Sequence, residues 1–273
     1  MERKLDLTEV KSIMLDILID LQRVCDENDI KLFLAYGTLL GAVRHKGFIP
    51  WDDDVDVLLL RDDYEKLIRI YNDKKGKSYY KLCCLENDCA WIPFSKIVDL
   101  RTRTNYSIPP RPEAGGVWVD IFPLDGFHSS RLIKTYQYVI AKMFTSQIAM
   151  ANSDWRGKQK GFDKINKIAV NCFRTIGIAR ISKWAIKHAK RFSIDVCDMV
   201  NCLAWAAPIK EETPKNDFQR LEPVYFEGHE FHAMRNYDEW LRRCYGDDYM
   251  ELPPDEKRVN HHFDAFIDTE WKN

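Results

Sequence analysis

The sequence predicts an α/β protein (α+β in stricter usage) that combines a mixed sheet with a helical subdomain. Strand-like apolar runs alternate with helix-like segments before residue 128, whereas 129–206 shows helical spacing of apolar residues. Residues 211–273 return to mixed polarity. We therefore expect a core at 1–128, a basic helical subdomain at 129–210, and a C-terminal segment at 211–273 that packs back on the core.

Composition narrows the class of protein. The chain has 273 residues, 45% of them hydrophobic and 30% charged, with a net charge of −1. This balance is typical of a soluble globular protein and does not favour a nucleic-acid binder. No apolar run reaches the roughly 18 residues of a membrane span, and acidic residues interrupt the first apolar segment. Eight cysteines without a Cys-x-x-Cys pair predict free thiols in a reducing cytoplasm.

Local patterns predict the core elements in order. Asp6 and Glu9 have capping-box spacing at the start of a helix that runs to about Glu27. A strand over 30–36 and a short helix over 38–44 follow, and then a strand over 54–60 and an amphipathic helix over 61–72. Further strands are expected at 79–85, 91–98 and 117–122, and two more around the Gly228 turn.

An aspartate cluster before the 54–60 strand is the strongest chemical signal. Alternate residues of a strand share a face, so Asp54 and Asp56 point the same way, and Asp52 joins them if the extended backbone starts that early. Like charges so close together favour a bound cation, and oxygen ligands suit Mg²⁺ or Mn²⁺. We therefore predict a metal site there.

A phosphate site is predicted beside these aspartates. The Gly37-Thr38 turn leads into a helix whose first N–H groups can bind phosphate. Arg44 and Lys46 are candidate phosphate ligands, although a basic residue at a helix C-terminus also has a purely structural explanation. Metal-binding aspartates next to a phosphate-binding turn are what phosphoryl or nucleotidyl transfer requires.

Asp120 is a third candidate carboxylate. It is the single acid in the apolar run Val117–Phe122, where an unpaired carboxylate is costly. It could complete the metal site, accept a proton from the acceptor hydroxyl, or pair with a basic group. Asp125, which precedes Gly126, is expected in a turn, and Lys96 either faces the site or points outward from its strand.

Two long motifs resemble the LicD family. One is Tyr36–Arg44, followed by Gly47–Asp56; the other, near the C-terminus, is Tyr245–Pro254. The run Asp120–Asp125 also resembles that family's pattern. The resemblance implies a nucleotidyltransferase-like fold and transfer of phosphocholine from CDP-choline to a hydroxyl of a cell-surface glycan, of teichoic acid or lipopolysaccharide type, with release of CMP. Asp54, Asp56 and Asp120 would be the catalytic carboxylates.

The sequence leaves alternatives open for the donor, the reaction and the basic segment. The activated group could be another CDP-alcohol such as CDP-ribitol, and a nucleotidyltransferase acting on a small molecule would use the same carboxylates. The basic segment 156–191 carries eleven Lys and Arg residues against Asp163. It suits an anionic membrane surface at the inner face, a lipid-linked acceptor, or simply solvent. A role for His261 and His262 stays unassigned.

Overall fold

The computed structural model describes residues 2–72, 77–105, 115–152, 163–258 and 263–271. It is an α/β structure with mixed sheets. The first part of the chain contains β1 (Glu2–Lys4), α1 (Leu7–Asp26), β2 (Phe33–Leu34), α2 (Tyr36–Arg44), β3 (Asp56–Leu60), α3 (Arg61–Asn72), β4 (Tyr80–Cys83), β5 (Ser95–Asp99), β6 (Thr102–Thr104) and β7 (Trp118–Phe127).

The second part begins with helices. These are α4 (Arg131–Asn152), α5 (Asp163–Ile176) and α6 (Ile178–Ala189). Smaller elements follow: β8 (Met199–Asn201), β9 (Thr213–Pro214), β10 (Leu221–Phe226), β11 (His229–Met234), α7 (Tyr237–Tyr245) and β12 (Ala265–Asp268). The predicted elements therefore exist, and β10 and β11 form the expected hairpin around Gly228.

The central sheet is organised around β7. Its strand order is β2-β3-β7-β5-β4, with β8 pairing onto the far end of β7. β7 runs parallel to β3 and antiparallel to β5, so Asp120 is in register with Asp56 on one side and Lys96 on the other. Every residue of β7 is buried, so this strand lies in the interior of the core.

Helix α1 covers the sheet as the sequence predicted. Asp6 accepts a hydrogen bond from the backbone N–H of Glu9, and the Glu9 side chain accepts one from Asp6, which completes the capping box. Its apolar stripe of Met14, Ile17 and Leu21 is fully buried. Near the other end of the chain, β12 pairs with both β1 and β6, so the C-terminal strand lies on the first part of the protein.

Three expectations need correction. Asp125 is not in a turn: it lies within β7, where Arg61 donates to both carboxylate oxygens at 2.8 Å. The strand predicted at 30–36 is shorter than expected: it is β2, Phe33–Leu34. Tyr36, whose φ is 43°, already belongs to α2. Cys83 and Cys89 form a disulfide, so free thiols were the wrong prediction for this pair.

Two further features bear on the predictions. No helix among the described residues combines the length and the apolar character needed to cross a bilayer. His261, His262 and residues 156–162 of the basic segment lie outside the described residues.

Candidate active site

Three aspartates share one face of the segment that leads into β3. Asp52, Asp54 and Asp56 line a pocket of about 740 Å³, which we call the aspartate pocket. Asp53 and Val55, which alternate with them, are 3% and 0% exposed. The structure therefore brings Asp54 and Asp56 together as predicted. It includes Asp52, for which the sequence set the condition of an early extended segment, and the alternating burial of residues 52–56 meets that condition.

The start of α2 is fitted against these acids. A Cβ added at Gly37 would lie 2.5 Å from Asp52 Oδ2, so no larger residue fits without moving that carboxylate. Ala35 provides no side-chain cap for the helix, and the N–H groups of its first turn lack partners within the helix. These N–H groups and the helix dipole provide a binding surface for an anion beside the aspartates.

Thr38 connects the two parts of the site. Its side chain is 3% exposed. Its Oγ1 accepts a hydrogen bond from the backbone N–H of Asp56 at 2.9 Å, which fixes the first turn of α2 to the first residue of β3. Thr38 thus positions the aspartate strand, and it is not among the residues that line the pocket.

Arg44 lines the pocket, whereas Lys46 does not. Arg44 Nη1 donates to the carbonyl oxygens of Tyr249 at 2.8 Å and Glu251 at 3.1 Å, so it holds the C-terminal segment as the outer wall of the pocket. Lys46 is exposed, with φ of 60°, and its carbonyl oxygen accepts from Glu227 N at 2.9 Å. The structure thus places these two predicted phosphate ligands in different surroundings.

Asp120 lies beside Asp56 but is held by neighbours on its own sheet. Lys96 Nζ is 3.1 Å from Asp120 Oδ1, and Trp118 Nε1 donates to Oδ2 at 2.8 Å. Lys96 also lies 4.3 Å from the centre of the Trp118 ring. Sequence reasoning left the orientation of Lys96 open, and only the register of β5 against β7 settles it.

The surroundings of Asp56 raise the pKa of its carboxyl group well above its ordinary value. Burial is the main cause, and the carboxylates of Asp54, Asp120 and Asp52 add to it, while Lys96 opposes the shift. Such a cluster favours a divalent cation, and two observations fit one. Asp54 and Asp56 provide oxygen ligands, and the buried Asp120 Oδ1 has no aligned hydrogen-bond donor in the described structure.

The described part of the protein does not by itself form a complete metal cage. No group of three or more His, Cys, Asp or Glu side chains in the described ranges is arranged to hold a metal ion. Mg²⁺ is usually held by one or two carboxylates with substrate phosphates and water as the other ligands. The arrangement of Asp54 and Asp56 next to the anion-binding start of α2 fits such a substrate-completed site.

Comparison with known proteins identifies this architecture. Residues 29–138 match the family described as LicD/FKTN/FKRP, nucleotidyltransferase domain. Residues 29–138 are a LicD-family nucleotidyltransferase domain. That match contains α2, β3 and β7, and hence Gly37, Arg44, Asp54, Asp56 and Asp120, so the resemblance drawn from the sequence motifs is confirmed.

Similarity to one relative extends over nearly the whole chain. The lipopolysaccharide cholinephosphotransferase LicD of Haemophilus influenzae is 29% identical over 270 residues, which are 97% of this chain and 99% of that protein. Two uncharacterised Rickettsia proteins match shorter segments: that of Rickettsia typhi is 41% identical over 58 residues, 21% of this chain and 19% of its own length. That of Rickettsia prowazekii is 45% identical over 47 residues, 17% of this chain and 18% of its own length.

The raised pKa of Asp56 predicts a pH-dependent effect of Asp56→Asn. The folded protein binds this proton more tightly than the unfolded chain, so the ionised carboxylate destabilises the fold as pH rises through the folded pKa. Without added metal, we expect Asp56→Asn to raise Tm, and the gain to grow between about pH 4.5 and about pH 7.5. Differential scanning fluorimetry in EDTA measures it.

The matched control is Asp62→Asn, at an exposed position in the first turn of α3. It should not show a gain that grows with pH. An equal gain from Asp56→Asn at both pH values, or a loss of stability at the higher one, would contradict the electrostatic account.

Proposed function

We propose that this protein transfers phosphocholine from CDP-choline to a hydroxyl group of a glycan and releases CMP. The observation that carries the proposal is the aspartate pocket, where three aspartates on one face meet the start of α2 and Arg44. This geometry suits a nucleoside diphosphate ester with a divalent metal. The name of the Haemophilus relative supports choline phosphate as the transferred group and lipopolysaccharide as a model for the acceptor.

Each site residue has a proposed role in this reaction. Asp54 and Asp56 hold Mg²⁺ or Mn²⁺, with Asp52 as a neighbouring acid, and the metal when bound neutralises charge on the diphosphate. Gly37 allows close approach of the phosphate to the start of α2, and Arg44 provides a guanidinium group for its oxygens.

Two roles are proposed for Asp120: it is either a metal ligand or the base that accepts the proton of the acceptor hydroxyl. Lys96 and Trp118 fix its carboxylate in either case. Lys46 remains a weaker candidate that would have to swing toward the phosphate from its exposed position.

Two other reactions would use the same pocket. A transferase acting on CDP-ribitol or another CDP-alcohol would also release CMP, whereas a nucleotidyltransferase acting on a small molecule would release pyrophosphate. The products therefore separate these classes. We prefer the phosphocholine reaction because the choline-phosphate relative aligns along nearly its whole length.

Metal-dependent CMP release tests the proposal. Purified protein and CDP-choline should yield CMP with Mg²⁺ and none with EDTA, and slow transfer to water is sufficient for detection. We expect Asp56→Ala to lower the rate by about 10²-fold or more, since it removes a group that holds charge at the reacting phosphate. Chromatography of the nucleotides measures it.

The control for this assay is Asp62→Ala, an exposed acid outside the pocket, which should keep the wild-type rate. Pyrophosphate in place of CMP, or equal rates for wild type and Asp56→Ala, would overturn the proposal. Turnover of CDP-ribitol but not of CDP-choline would support the assignment of the site and show that CDP-choline is the wrong donor.

We also propose peripheral contact with an anionic membrane, at its inner face in the cytoplasm, where a lipid-linked acceptor could be presented. An apolar stripe on α4 supports this contact. Leu132 and Val139 are 84% and 54% exposed, and Tyr136, Met143 and Met150 extend the same helix face. On α6, which packs against α4, Arg180, Lys183 and Lys187 are exposed. Apolar and basic groups together are typical of interfacial helices.

Vesicle sedimentation tests the membrane contact. We expect binding to vesicles that contain phosphatidylglycerol and little binding to phosphatidylcholine alone. The double variant Leu132→Ser/Val139→Ser should weaken binding by about tenfold or more, because two exposed apolar side chains no longer enter the interface.

The matched control is Val196→Ser, a comparably exposed valine (77%) that lies outside α4, α5 and α6. No binding to anionic vesicles by the wild type, or equal binding by the double variant, would contradict the membrane contact.

A further inference from the structure

A second pocket adjoins the aspartate pocket. It has a volume of about 680 Å³ and is bounded by the segment before β5, by α4 and by the loop around Trp205. Tyr36 lines both pockets, so the start of α2 is a wall that they share. We call this cavity the aromatic pocket and define it by Tyr36, Phe94, Tyr138, Trp205 and Glu211.

Packed rings build the inner wall of the aromatic pocket. Phe94 contacts Trp205 edge-on, with centroids 5.5 Å apart at 90°, and lies 4.5 Å from Phe122. Phe122 in turn contacts Tyr36, with centroids 5.9 Å apart. Phe94 is 4% exposed, whereas Trp205 is 53% exposed, so the cluster fixes the indole while leaving much of it accessible to a ligand.

Tyr36 is held firmly between the two pockets. Its backbone φ is 43°, in the left-handed region that non-glycine residues rarely adopt. The ring lies 5.4 Å from Trp240, and Trp240 Nε1 donates to the carbonyl oxygen of Glu211 at 3.3 Å. Burial is the main cause of the raised pKa of the Tyr36 hydroxyl, and the charges of Glu211 and Asp56 add to it. Tyr36 lines the aspartate pocket together with Asp56 and the aromatic pocket together with Glu211.

Oxygen acceptors accompany the aromatic rings. Glu211 is half-buried, burial raises the pKa of its carboxyl group, and the ion pairs among the described residues do not include it. Asn152 Oδ1, also on the wall, is buried without a hydrogen-bond partner in the described structure. The basic residue of the lining, Lys142, is exposed on α4 at the rim.

We propose that the aromatic pocket binds the quaternary ammonium of choline and selects it over other head groups, an inference that rests on the proposed function. A trimethylammonium group has no N–H to donate, so aromatic faces and a nearby carboxylate recognise it. A primary ammonium would donate to Glu211 or Asn152 but would lack the three methyl groups that pack on the rings, so the preference for choline rests on Trp205 and the other aromatic residues. Tyr36 lines both pockets, so the head group is assigned to one and the diphosphate to the other.

Donor discrimination tests this assignment. We would measure kcat/KM for CDP-choline and for CDP-ethanolamine, following CMP release. The wild type should prefer CDP-choline by about tenfold or more, in line with a desolvated cation–π contact. Trp205→Ala should lose most of that preference, mainly through a higher KM for CDP-choline, and Trp205→Phe should retain part of it. Glu211→Gln should raise KM for both donors, because the carboxylate attracts either cation.

Two matched variants serve as controls. Trp271→Ala removes a partly exposed indole that contacts Tyr79, and Glu212→Gln changes the neighbouring acid, which pairs with Lys134 at 2.6 Å. Neither residue lines the aromatic pocket, so both variants should keep the preference. Binding of choline chloride alone, measured by saturation-transfer NMR, adds a readout that does not need turnover, and Trp205→Ala should abolish it.

The outcomes separate this inference from the proposed function. Turnover of CDP-choline with an unchanged donor preference in Trp205→Ala overturns the choline site and leaves the transferase. Loss of transfer to an added glycan, with normal CMP release and donor preference, assigns the pocket to the acceptor and also overturns it. Choline binding that needs Trp205, without turnover of any CDP-alcohol, supports the pocket and overturns the proposed function.

Discussion

Mutual repulsion among the acids on one sheet face is the constraint on which the rest of the site depends. Asp52, Asp54 and Asp56 line one pocket, and Asp120 is in register with Asp56 on the next strand. The protein offsets part of this repulsion with Lys96 and with the positive end of α2. A cation shared with a substrate phosphate would offset more of it, so the same charges that destabilise the fold prepare the site for its ligand.

Strand β7 connects the acid cluster to the core of the protein. Its parallel pairing with β3 and antiparallel pairing with β5 place Asp120 between Asp56 and Lys96. Further along the strand, Asp125 is paired with Arg61, and both side chains are nearly inaccessible, with 2% and 8% exposure. A buried pair of this kind is costly to break, because either partner alone would leave an unpaired charge. The pair therefore fixes the start of α3 to the strand that presents Asp120.

The sequence predicted those parts of the site that depend on local periodicity. Alternation along one strand was enough to bring Asp54 and Asp56 together, and the glycine of the Gly-Thr turn lies where expected, although Thr38 proved to hold the strand. Lys96 and Asp125 were beyond local reasoning, since their partners are set by strand register and by a contact 64 residues away. The outer wall of the aspartate pocket, near Tyr249, is held by Arg44, which is 205 residues away in the sequence. In the sequence, the resemblance of Tyr245–Pro254 to the family was the one signal for this wall.

The aromatic pocket had no local signal at all. Its rings come from α2, from the segment before β5, from α4 and from the loop at Trp205, and each alone is typical of an ordinary core or surface residue. Only the packing of these segments around Tyr36 shows that two pockets share a wall at the start of one short helix. We propose that the two pockets bind the nucleotide diphosphate and the cationic head group of one donor.

The most direct test of the account is whether Asp54 and Asp56 bind a metal together with the donor phosphates. Mn²⁺ titrated into protein with CDP-choline can be followed by electron paramagnetic resonance and by phosphorus NMR. The account predicts that bound Mn²⁺ broadens both phosphorus resonances of CDP-choline and that the double variant Asp54→Asn/Asp56→Asn abolishes this broadening. Equal broadening in the double variant, or none in the wild type, would contradict the assignment of these aspartates as the metal and diphosphate site.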